Sequence, residues 1–136
     1  MKVLVLLLLI TFSAKAESSN YTCYFEKKSE VMKDFSAEEL TTESSHSNKE
    51  LIQIIGAPVY ATVGKSKLLY RVKVYNKEKK LTFKIIEAND QSIIGWNGEQ
   101  KFSTFFSLEK QKMVFTELLS GDHVAAYFYS CMEVSN

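Results

Sequence analysis

Two cysteines stand near opposite ends of this 136-residue chain, Cys23 inside NYTCYF and Cys131 closing HVAAYFYSC. No other cysteine is present. In an exported protein the simplest use of two cysteines is one disulfide; free thiols or an intermolecular bridge are the alternatives. A disulfide brings Cα atoms within about 7 Å of each other. The first and last strand-like runs of the chain are therefore expected to be neighbours. The bridge closes a loop of over a hundred residues, for which chain entropy gives about 4–5 kcal/mol.

Export is expected from residues 1–16. MK supplies a positive start, VLVLLLLITF an apolar stretch, and SAKA a small-x-small cleavage site before Glu17. That is the layout of a secretory signal peptide. The apolar stretch is too short to span a bilayer, which takes about 20 residues. No second apolar run of that length follows, so no transmembrane segment is expected in the mature chain, residues 17–136, a single domain with one core. The compact leader points to a bacterial source and a periplasmic or extracellular location.

From Leu68 onward apolar and polar residues alternate with period two, the pattern of half-buried strands. Tyr70, Val72 and Val74 alternate with Arg71 and Lys73; Leu81, Phe83 and Ile85 alternate with Thr82 and Lys84. KFSTFFSL, MVFTELL and HVAAYFYSC continue it, separated by turn chemistry in YNKEKK, EANDQ, WNGE, LEKQK and LSGDH. Asn97-Gly98 is the preferred pair for a two-residue type I′ hairpin. That register sets Ile93 opposite Phe102 and Ile94 opposite Lys101, with Ile93, Phe102, Phe106 and Leu108 on the core face. Ile94, Trp96 and Phe105 fall on the other face. Upstream, SAEEL and SNKELIQIIGAP each carry an S-x-x-E capping box. The second reads equally as a short helix over 48–55 or as a buried strand. TTESSHSN reads as a loop. The expected fold is all-β: an antiparallel meander of about 7–8 strands curled into a barrel or a two-layer sandwich. Pairing the terminal strands removes two exposed edges.

Signals for chemistry are sparse. Outside the leader the chain holds fifteen basic and sixteen acidic residues, net −1. It therefore lacks the basic footprint of a nucleic-acid binder; the one basic cluster, YNKEKKL, reads as a solvated turn. Only His46 and His123 could join a metal site, and no ligand spacing links them. No metal or other cofactor is expected. VGKSK lacks the first glycine of a phosphate loop, with Val59 in its place. Asp122 and His123 are adjacent, so along a strand they face opposite ways and make no dyad. No nucleophile elbow occurs, and the protein is not expected to be an enzyme. Asn20-Tyr21-Thr22 is a glycosylation sequon if the source is eukaryotic. Glu117 alone interrupts an apolar strand face, in the row of Met113, Phe115 and Leu119. The expected partners of that row are Val124, Ala126 and Phe128. Glu117 is either solvated at a strand end or a carboxylate with a raised pKa lining a cavity.

Sixteen aromatics outside the leader exceed what one inward sheet face requires. Either a second layer covers the face of Trp96 and Ile94, or that face is an aromatic patch for a partner. The leading functional expectation is a small secreted binding protein using Trp96, Ile94 and Phe105, with Tyr127 and Tyr129 as outward residues beside the bridge. A barrel holding a small apolar ligand in its interior is the first alternative. In leader, size and terminal bridge the chain resembles the small exported bacterial β-barrels, the lysozyme-inhibitor type among them. Inhibition of an extracellular hydrolase is accordingly a further alternative. The resemblance is architectural, carried by no motif residue, and implies a fold rather than an activity.

Overall fold

The alternation resolves into nine antiparallel strands in a computed structural model that describes residues 18–41, 57–119 and 123–135. They are β1 (Ser19–Met32), β2 (Ala37–Thr41), β3 (Val59–Val63), β4 (Lys67–Val74) and β5 (Lys77–Ala88), then β6 (Ser92–Asn97), β7 (Phe102–Ser107), β8 (Lys112–Leu119) and β9 (His123–Val134). From β3 to β9 each strand pairs with the next, and β1 pairs with both β3 and β9. Eight strands thus close a barrel, and β2 is an extra strand on its flank. The expected all-β architecture is present, and of its two forms it is the barrel. The helix or strand expected over 48–55 lies outside the described residues.

Cys23 faces Cys131 directly across β1 and β9, and the two form a disulfide. The first and last strands therefore meet, and the bridge sits in the barrel wall with Cys23 fully buried. Strand β1 serves two neighbours on one side. Its first half pairs with β3 from Ser19 to Cys23, and its second half with β2 from Lys27 to Val31. SAEEL, with its capping box, is therefore not a helix start. The Ser36 hydroxyl and amide both donate to the Asp34 carboxylate two residues back. The turn so formed returns the chain alongside β1 as β2.

A bulge at Glu26 changes which side of β1 faces inward. Before it, Tyr21, Cys23 and Phe25 point into the barrel; Phe25 opposes Tyr129 and Lys27 opposes Phe128. Two residues on one strand against one on the other shift the alternation by one. Beyond the bulge Lys28 lies opposite Tyr127 and Glu30 opposite Ala125, a residue with no exposed surface. Glu26 itself points outward, where the Lys112 ammonium and Ser130 hydroxyl donate to its carboxylate. Those bonds hold its pKa below the usual carboxylate value.

One half of the lumen is packed solid. Leu68, Phe83, Phe106 and Met113 are fully buried there, and Tyr21 packs tilted against Phe106 at 4.8 Å between ring centroids. Gly95 leaves room for this layer: a Cβ in its place would lie 2.9 Å from the Phe83 Cβ and 3.0 Å from the Thr104 Cγ2. Tyr70 and Thr104 bring a linked pair of hydroxyls into this interior. The Thr104 hydroxyl donates to the Val114 carbonyl at 3.0 Å, so it accepts from the Tyr70 hydroxyl at 2.6 Å. A carbonyl can only accept, and this fixes the direction of the chain. Burial raises the Tyr70 pKa.

Two expected registers differ from those observed. The primed two-residue turn is at Tyr75-Asn76, both with positive φ, joining Val74 to Lys77. At Asn97-Gly98 the strands instead close at Asn97 opposite Phe102, across a four-residue loop. The Asn97 side chain organises that loop: its carbonyl oxygen accepts from the Gln100 amide, and its amide donates to the Thr82 carbonyl. Lys101 there takes the positive φ. Ile93 accordingly opposes Phe106 rather than Phe102. In the last hairpin Glu117 lies opposite Ala125 and Phe115 opposite Tyr127, so the row of Glu117 aligns with Ala125, Tyr127 and Tyr129 rather than with Val124, Ala126 and Phe128.

Candidate functional site

The other half of the lumen is open. A cavity of about 200 Å³ enters at the barrel end formed by the close of β4, the start of β5, the close of β8 and the start of β9. Its walls are Val59, Tyr70, Val72, Leu81, Met113 and Phe115, with Tyr129 and Tyr127 on the β9 side. Every one of these side chains is inward by strand alternation, and all but the tyrosine hydroxyls are apolar. Tyr127 and Tyr129, expected to point outward, line this cavity instead. They share the face of Cys131, as the sequence indicates, but that face is the inner one. Burial pushes the Tyr129 pKa up to about 12.

At the mouth the lining becomes polar. The Tyr127 hydroxyl donates to the Glu117 carboxylate at 3.3 Å, while Val74 and the exposed Lys79 form the opposite rim. Burial and then the charge of Glu117 raise the Tyr127 pKa. Glu117 lies in the cavity lining, near the end of β8. Beside this pair, on the stretch of β1 beyond the bulge, the Lys28 ammonium lies 2.7 Å from one Glu30 oxygen. The His123 Nε2 lies 3.0 Å from the other. Lys28 also sits over the Tyr127 ring, 5.5 Å from its centroid. Lys28 and Glu30 have no counterpart among the residues picked out from the sequence. Their signal was hidden because alternation counted from Cys23 puts both outside, and only the bulge turns them in. His123 is partnered with Glu30 rather than brought to Glu117, and His46 lies outside the described residues. Among the described residues no group of three His, Cys, Asp or Glu forms a metal-ligating cluster.

The outer face carries the residues first expected to bind. Ile94 and Phe105 are direct cross-strand partners, 36% and 44% exposed, and Trp96 beside them is 43% exposed. The register continues this row through Val114 to Phe128, where the Lys27 ammonium lies 5.2 Å from the ring centroid. Their side chains share a surface as alternation predicts, outside the barrel. Nothing in this row converges with the lumen cavity.

No protein-family model, curated protein or solved structure matches the chain. The disulfide fits an extracellular or periplasmic protein. Among the described residues no helix is long and apolar enough to cross a membrane.

Proposed function

We propose that the protein is a non-enzymatic exported binder of a small, largely apolar molecule, held in the open half of its barrel lumen. The observation that carries this reading is the cavity of about 200 Å³ walled by Val, Leu, Met, Phe and Tyr side chains, with charged groups only at its mouth. Barrels of about eight strands are wide enough to hold one small ligand, and an apolar cavity of about 150 Å³ suffices for benzene. Binding there would remove apolar surface from water, worth about 25 cal/mol per Å². The Tyr127 hydroxyl and Glu117 carboxylate would fix orientation, as a few polar groups do in an apolar pocket.

The test is a titration of the disulfide-bonded protein with indole or 2-phenylethanol, followed by methyl NMR. Saturable shifts are expected at Val59, Val72, Leu81 and Met113, and Val72→Phe, which fills the cavity, is expected to abolish them. Shifts confined to the outer face, or none at all, would remove the lumen from consideration. A second reading, a protein partner on the outer face, is favoured by the shared exposure of Ile94, Trp96 and Phe105. Aromatic anchors of this kind dominate many interfaces. Equal recovery of partners by wild type and Trp96→Ala from the native envelope or culture fluid would count against it.

A further inference from the structure

Among the described residues lining the lumen cavity, Glu117 is the only acid. Among the described residues its side chain has one hydrogen bond, a long one from Tyr127, 3.3 Å, and the ion pairs there do not include it. A carboxylate against apolar walls is costly unless a cation or several donors satisfy it. Glu30, the other carboxylate near the mouth, is already matched by Lys28 and His123. Glu117 is not, and the space in front of it is the cavity itself.

The walls beside Glu117 are aromatic. The Phe115 and Tyr127 rings lie 5.5 Å apart, tilted by 33°, with Tyr129 further along the same wall. Aromatic walls match the apolar body of an organic cation, and the carboxylate beside them gives its charge a partner. Two lysines weigh against this and neither decides it. The Lys28 charge is matched by Glu30. Lys79 is exposed, so its stem can line the rim while the ammonium stays in water. A ligand with an anionic head would meet Glu117 in the lining, with Lys79 as the one cation among the described lining residues, exposed at the opposite rim.

We propose that the ligand of the lumen is an amphipathic amine, its aryl- or alkyl-sized body in the cavity and its ammonium on Glu117 at the mouth. This rests on the lumen reading above and adds the chemistry of the head group. Glu117 lies closer to the open end than Phe115 and Met113 on the same strand. The apolar body therefore enters first, toward Met113, Val59 and Tyr70, and the ammonium remains at the entrance.

The experiment compares three molecules that share a phenylethyl body by calorimetry on the disulfide-bonded protein: 2-phenylethylamine, 2-phenylethanol and 3-phenylpropanoate. The amine is expected to bind about tenfold tighter than the alcohol, the value of one charge-assisted hydrogen bond, and the carboxylate more weakly than either. Glu117→Gln, which keeps an acceptor for Tyr127, is expected to erase the amine preference, so that the variant binds amine and alcohol with equal affinity. The wild-type ranking needs no variant, and alcohol binding by the variant reports that its lumen is intact. Equal affinities for amine and alcohol, or a preference that survives Glu117→Gln, overturn the amine assignment while leaving the lumen as a binding site. No saturable binding of any of the three overturns the lumen reading, and the amine assignment with it.

Discussion

The buried chain of hydroxyls from Tyr70 to Thr104 to the Val114 carbonyl makes a quantitative prediction. Thr104→Val keeps the shape of the side chain and removes both bonds. The Tyr70 hydroxyl, on a residue 3% exposed, then has no acceptor, and an orphaned buried donor costs about 1–3 kcal/mol. Tyr70→Phe is milder, because Thr104 still donates to Val114; one lost bond is worth about 0.5–1.5 kcal/mol. In the double variant no donor is stranded, so its destabilisation is expected to fall short of the sum of the singles by about 1 kcal/mol, a typical coupling for groups in contact. Urea unfolding at constant m gives these energies, and melting gives a second readout at roughly 3–5 °C per kcal/mol for a chain of this size. Additive singles, or a Thr104→Val protein as stable as wild type, would refute the direction assigned to the bonds and the burial of the pair.

Three further outcomes follow from the packing and from titration. Gly95→Ala is expected to cost about 1–3 kcal/mol by overpacking, because the new methyl meets the Phe83 Cβ, which cannot move independently of its backbone; a melting temperature within a degree of wild type contradicts that packing. Cys131→Ser is expected to lower stability by about 2–5 kcal/mol with the far-ultraviolet dichroism of the sheet preserved below the transition. Tyr129 ionises near 12 when folded against an ordinary 10.0, so above pH 10 the unfolded chain sheds a proton that the folded one keeps. Stability should hold below pH 10 and fall as pH rises toward 12; Tyr129→Phe should lose less between pH 8 and 11 in urea midpoints, and an identical loss speaks against burial of the phenol.

Which features were legible in the sequence follows from the arithmetic of alternation. The hairpin register at Asn97 differs from expectation by four residues, an even number, so Ile93, Phe102 and Phe106 still share the core face, and Ile94, Trp96 and Phe105 the outer one. The last hairpin differs by one, an odd number, and the partners of Glu117 move to the opposite parity. Tyr127 and Tyr129 were correctly placed beside Cys131, yet the inward sense of that face depends on how the barrel curls. Lys28 and Glu30 were illegible because a bulge leaves no trace in composition: YTCYFEKKSEVM reads the same with or without it. The disulfide and the meeting of the first and last strands were legible, because two cysteines admit one intramolecular pairing; the choice of barrel over two packed layers was not, since both bring the terminal strands together. The site, in contrast, depends on an unfilled volume, and no single residue encodes a void.

The bridge also determines how the molecule bears load. Asn20 opposes Val134 in register, and three pairs further in stand Cys23 and Cys131. Tension applied at Ser19 and Val134 peels these few pairs and then passes through a covalent bond from one strand to the other. The 108-residue span between the cysteines, and the lumen with it, lies off the path of the force. Pulled by its ends, the oxidised barrel should lengthen by only a few residues at each side, whereas the reduced one should unravel strand by strand.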